Sequence, residues 1–118
     1  MKLENLILEE ETIDGVLLVH AQGEIDHWTA PSLSERLRAA AHGEDGPVVV
    51  DLCDVTLIDS AGVSVLVNAA RRLVHQRRRM SIVCPPGNLL RLFQLTGLVD
   101  ALEIHPTRDE ALGAVAEA

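Results

Sequence analysis

An α/β fold built on a mixed β-sheet is predicted for this chain, on three observations. Two apolar runs near the N-terminus are joined at Asp14-Gly15, and Asp-Gly between such runs is a strong hairpin signal. Beyond them, helical periodicity alternates with short β-branched runs such as Val48-Val49-Val50. Gly and Pro punctuate several of the changeovers. An N-terminal hairpin followed by alternating helices and strands predicts parallel, right-handed βαβ units beside one antiparallel pair. The 118 residues fit one domain, residues 1–118.

Each element has its own signal. Leu6–Glu11 and Val16–Ala21 read as the hairpin strands. Ala30–Ala41 reads as a helix, with Leu33, Leu37, Ala40 and Ala41 on one face and Pro31 in the first turn. Asp45-Gly46-Pro47 breaks the chain before a strand at Val48–Leu52. The next helix spans Ala61–His75, and its apolar stripe is Val63, Leu66, Val67, Ala70 and Val74. Met80–Cys84 reads as a strand closed by Pro85-Pro86-Gly87. Asn88–Thr96 is a short helix that buries Leu89, Leu92 and Phe93 and stops at Gly97. A strand at Leu102–Ile104 follows. Thr107-Arg108-Asp109-Glu110 has capping-box spacing and opens a last helix carrying Leu112 and Val115.

Composition narrows the function. Hydrophobic residues make up 47% of the chain, enough for a substantial core. The only aromatics are Trp28 and Phe93, so that core is aliphatic. Net charge is −8 and Lys2 is the single lysine. Such a chain repels phosphate backbones and lacks rings to stack on bases, which argues against nucleic acid. A partner with a basic docking surface fits better. Arg71, Arg72, Arg77, Arg78 and Arg79 lie toward the end of a predicted helix, where cations complement its dipole. No apolar run reaches the roughly 18 residues that span a bilayer, and Met1-Lys-Leu-Glu-Asn5 reads without the apolar h-region expected of a signal peptide. Cys53 and Cys84 follow no zinc or CxxC spacing, so free thiols in a cytoplasmic protein are expected.

Two clusters carry the candidate chemistry. The first is Val48-Val-Val-Asp-Leu-Cys-Asp-Val-Thr-Leu-Ile-Asp-Ser-Ala-Gly62. It brings Asp59 and Ser60 to a helix start, where free N–H groups and the dipole favour added negative charge. A phosphate could be placed there and removed, or either residue could simply cap the helix. The second is Gly23-Glu-Ile-Asp26-His-Trp28-Thr-Ala30, in the loop before the first helix. Asp26 suits an Asx turn or a partner contact. Trp28 suits a core edge or an interface anchor.

Enzymatic alternatives fall short. A phospho-aspartate receiver could use Asp51 or Asp54 as acceptor, but needs a lysine on a late strand. A Ser/His/Asp hydrolase needs a GxSxG elbow, and nucleotide chemistry needs a Gly-rich loop with Lys. The histidines His20, His27, His42, His75 and His105 have no ligand spacing. No metal or cofactor is expected.

The chain resembles the STAS domain family, and within it the small free-standing anti-sigma factor antagonists of bacteria. The matching segments are Gly23-Glu-Ile-Asp-His-Trp-Thr-Ala30, Val49-Val-Asp-Leu52, Ile58-Asp-Ser-Ala-Gly62 and Leu92-Phe-Gln-Leu-Thr-Gly-Leu98. The resemblance implies that Ser60 is a phosphorylation site. It also implies a partner surface of Asp26, Trp28, Asp59, Ser60, Ala61 and Gly62. The implied partner is an anti-sigma factor that doubles as a serine kinase, with a phosphatase to reverse the mark. Many relatives carry a second Ser or Thr where this chain has Ala61. The resemblance also leaves room for an accessory subunit of a lipid or anion transporter, or a scaffold component of a signalling complex. None of these roles makes the chain an enzyme.

Overall fold

A computed structural model describes residues 5–43, 46–97 and 99–116. Asp45, assigned to a chain break, and Leu98, at the end of the last matching segment, lie outside them. Strands β1 (Leu6–Ile13) and β2 (Val16–Ile25) form the expected antiparallel hairpin. Helix α1 (Ala30–His42) leads to β3 (Val48–Ile58), and α2 (Ser60–His75) leads to β4 (Met80–Val83). Then come α3 (Asn88–Leu95), a 3-10 turn at Val99–Ala101, β5 (Ile104–His105) and α4 (Arg108–Ala116). The sheet order is β1-β2-β3-β4-β5, parallel from β2 onward.

Successive crossovers of one hand, moving one way across the sheet, lay their helices on the same face. Leu33 and Leu37 of α1, Leu66 and Leu73 of α2 and Phe93 of α3 accordingly share one core with Val50, Leu52 and Ile82. On the other face, α4 sets Ala111 and Val115 over Val16, Leu18, Val49 and Val83. Thr107 starts α4 as expected, its Oγ1 accepting from the Glu110 amide at 3.2 Å.

Besides α3, which buries Phe93 alone while Leu89 and Leu92 stay half-buried, the structure corrects the sequence reading in four places. First, β2 and β3 run past their expected ends at Ala21 and Leu52. Their pairing shifts between His20 and Gln22, and again between Gly23 and Glu24. Such a bulge breaks the alternation that marks a strand, yet returns Val55 and Ile58 to the core. The Cys53 amide, turned aside at the bulge, donates to Asp51 Oδ1 at 2.9 Å. Gly23 is required here: at φ +116° a Cβ would lie 1.9 Å from the Asn5 carbonyl oxygen. Second, α2 buries Leu73 rather than Val74, which is 67% exposed because the buried stripe ends one residue earlier.

Third, Arg78 and Arg79, past α2, serve other elements than its dipole. Arg78 is buried, and its guanidinium donates to the carbonyls of Ala40 and Ala41 at the end of α1. Arg79 donates to the Ala114 carbonyl of α4 and pairs with Glu103 at 2.7 Å. Fourth, the last strand is displaced to Ile104–His105.

Two elements depend on single residues. A Cβ on Gly62 would lie 2.6 Å from Ile25 Cγ2 and 2.8 Å from Ile58 Cγ1, so only glycine lets α2 start this close to the sheet. Overpacking typically costs 1–3 kcal/mol, against roughly 0.5–1 kcal/mol gained from replacing glycine in a helix. Gly62→Ala is therefore expected to lower unfolding free energy by about 1–2 kcal/mol in urea titration.

The second residue is Arg108. Its NH2 lies 2.7 Å from Oδ2 of Asp51, whose side chain is 2% exposed. Burial pushes the Asp51 carboxyl up, but hydrogen bonds from Cys53 and Arg108 outweigh it and hold the group below its ordinary range. A lowered folded pKa stabilises the fold above the ordinary carboxylate range, and that contribution is lost as pH falls through the lowered value. Arg108→Gln is expected to cost about 1–3 kcal/mol at neutral pH. The gap from wild type should narrow as acid neutralises Asp51.

Candidate regulatory surface at the C-terminal edge of the sheet

β2 and β3 end side by side, with Ile25 paired to Ile58. The loop 26–29 and the turn at Asp59 therefore emerge at one edge. They are tied together there. The Asp59 amide donates to the Ile25 carbonyl at 3.1 Å. Its Oδ2 accepts from the His27 amide at 3.1 Å, and its Oδ1 accepts from the Gly62 amide at 3.1 Å. Asp59 is extended, at φ −107° and ψ −175°, as an N-cap residue must be. One carboxylate thus caps α2 and clamps the neighbouring loop.

This settles which residue caps. Asp59 does so, and Ser60, the first residue of α2, is exposed. Ala61 is half-buried. Gly62 is buried, so its part at this edge is the close packing described above.

Asp26 organises its own loop. Its Oδ1 accepts from the amides of Trp28 at 2.9 Å and Thr29 at 3.1 Å, an Asx turn. The Asp26 amide donates to Thr29 Oγ1 at 3.0 Å, and that hydroxyl donates to the Glu24 carbonyl at 2.8 Å. Thr29 is 3% exposed and locks the loop to the end of β2. The sequence reading gave Thr29 and His27 no role. The available signal was Asp-x-x-Thr immediately before a helix start. Trp28 is 66% exposed, with its ring 4.4 Å from that of His27, so it seals no core edge.

The remaining acids of β3 are engaged elsewhere. Asp51 holds Arg108, and Asp54 lies 2.7 Å from His20 Nε2. Desolvation, with the carboxylates of Asp51 and Asp54, pushes the Cys53 thiol up to about 12. Burial pushes Cys84 up to about 11. Both stay protonated at neutral pH and are weak nucleophiles. Among the described residues, no three His, Cys, Asp or Glu side chains come together as a metal site. Nor is any helix among them long and apolar enough to cross a membrane.

The arrangement is a surface rather than a cleft: one exposed hydroxyl at a helix N-terminus, an adjoining carboxylate and an exposed indole. It can accept a charged modification and display it to a partner.

Known proteins share this sequence pattern and fold. The STAS domain family matches residues 8–111. An anti-sigma-B factor antagonist of Listeria monocytogenes is 34% identical over 95 residues, covering 80% of this chain and 83% of that protein. The crystal structure of an anti-sigma factor antagonist from Mycobacterium paratuberculosis superposes with a TM-score of 0.84 at 32% identity, covering 94% of each chain. The anti-sigma factor antagonist SpoIIAA in its unphosphorylated form shares the fold, with a TM-score of 0.77 at 20% identity over 95% of this chain and 98% of that one. With the family matched over most of its length, the chain belongs to the STAS domain family.

Proposed function

We propose that this chain is an anti-sigma factor antagonist whose partner binding is switched off by phosphorylation of Ser60. The unphosphorylated form binds an anti-sigma factor that is also a serine kinase, and so releases the sigma factor. A phosphatase restores the binding form. The chain acts in the cytoplasm and itself performs no catalysis. One observation carries the reading: Asp59 takes over the capping, which leaves Ser60 exposed on the edge that the same carboxylate ties together. The names of the relatives support the partner class.

Magnitudes explain how a phosphate would work here. Phosphoserine adds about −1.5 to −2 charges beside Asp59. The helix N-terminus returns only about 0.3–1 kcal/mol at an exposed position. Burying the new dianion against a surface with no matching cation costs several kcal/mol. At about 1.4 kcal/mol per tenfold, affinity falls a hundredfold or more. Ala61, in place of a second hydroxyl, leaves Ser60 as the single acceptor.

Incubation with the anti-sigma factor kinase and ATP should add one phosphate, and Ser60→Ala should abolish it. In calorimetry, Ser60→Ala should bind the kinase like wild type. Ser60→Asp, with less charge than phosphoserine, should bind it more weakly. Equal affinities for all three proteins would contradict the switch.

Trp28 is assigned as the contact anchor, and Asp26 as the acid that shapes its loop and faces a partner cation. Trp28 is the only tryptophan, so its emission reports this loop alone. Partner addition should shift or quench it. Trp28→Ala should weaken binding by about 2 kcal/mol, a common cost for a central interface tryptophan. Unfolding free energy should change by less than about 1 kcal/mol, because the ring is mostly outside the core. Unchanged emission in a saturated complex, with normal binding by Trp28→Ala, would remove the loop from the interface.

A further inference from the structure

The charge of this acidic chain is unevenly distributed. α1 and α2 carry Arg36, Arg38, Arg71 and Arg72 against a single acid, Glu35, and α2 has no acidic residue at all. Most of the buried or half-buried arginines are already engaged. Arg36 pairs with Glu10 at 2.6 Å, Arg79 with Glu103 and Arg108 with Asp51, and Arg78 binds helix-end carbonyls. Among the described residues, Arg38 and Arg72 have no carboxylate within ion-pairing distance. Both line a groove of about 340 Å³ between the two helices.

The other walls of that groove suit the same kind of ligand. Ser34, Asn68 and His75 add side chains able to donate hydrogen bonds, and the half-buried Val65 is the apolar lining residue that stays accessible, Leu37 and Ala69 being buried beneath. No carboxylate lines it. From Val65 to His75 the helix rises about 15 Å. That length matches roughly five residues of extended chain. A lone phosphate would fill a fraction of it and leave Val65 uncovered. A second copy of this chain would set one net charge of −8 against another, which opposes self-association.

We propose that the α1–α2 groove docks an acidic, partly apolar segment of a partner protein. Carboxylates of the segment pair with Arg38 and Arg72, and an apolar side chain covers Val65. The charged end of the groove lies along α2 away from Ser60: the 12 positions from Ser60 to Arg72 span about 18 Å, whereas its near end at Val65 is about 7.5 Å along the helix. Beyond a Debye length of about 8 Å, a phosphate on Ser60 is largely screened from Arg72. Charge pairing at Arg72 is therefore little affected by the phosphorylation switch, and its test with the unphosphorylated protein does not rely on that switch.

The probe is an acetylated octapeptide alternating glutamate and leucine, titrated into the full chain and followed by fluorescence polarisation and amide chemical shifts. Saturable binding is expected, with shifts centred on Arg38, Asn68 and Arg72 and an affinity that weakens with salt. The double variant Arg38→Gln/Arg72→Gln should lose roughly tenfold or more in affinity while keeping its thermal midpoint. Arg71→Gln, a charge change outside the groove, should leave binding intact. Equal losses in the Arg71→Gln protein would reduce the effect to net charge and overturn the proposal. Absence of saturable binding would also overturn it, as would the same shifts from inorganic phosphate at matched charge.

Discussion

The Asp59 carboxylate is the contact on which the functional edge depends. One oxygen accepts the Gly62 amide and starts α2; the other accepts the His27 amide and fixes the neighbouring loop. Both bonds use a charged acceptor, the stronger kind of hydrogen bond. They form only because β2 and β3 end level, and because Gly62 admits the helix against Ile25 and Ile58. Core packing, the helix cap and the loop are thus one unit. Ser60 sits on that unit without supporting it. On the proposed function, a modification there would change the surface charge without removing any of these bonds.

The same economy holds across the rest of the molecule. Polar groups that look reactive in isolation are held by neighbours. Asp51 is buried against Arg108, Asp54 meets His20, and both thiols are pushed up in pKa. What remains accessible is a set of surfaces. For a small STAS domain this suits a role exercised through binding.

Much of this was legible in the chain. Asp14-Gly15 marked the hairpin, and the spacing of Leu33, Leu37, Ala40 and Ala41 marked the buried face of α1. Local patterns sufficed because those elements bury one regular face. The extensions of β2 and β3 were hidden, because a bulge reverses the inside-outside alternation on which strand recognition relies. The choice between Asp59 and Ser60 as cap was equally hidden. Both are good capping residues, and the extended backbone at Asp59 follows from its tertiary bond to Ile25. Asp51 and Arg108 stand 57 residues apart, and Arg78 meets Ala40 and Ala41 across gaps of 38 and 37 residues. Such pairings are written in the topology and not in any window of sequence.

The central claim is that the edge is a rigid platform on which charge alone changes. The most direct measurement is the amide chemical-shift difference between the unphosphorylated protein and the same protein carrying one phosphate on Ser60. A clamped platform predicts differences confined to residues 26–29 and 59–63, with the resonances of α1, β4 and α4 unmoved. Differences spread through those distant elements would mean that phosphorylation rearranges the fold, and would contradict the account.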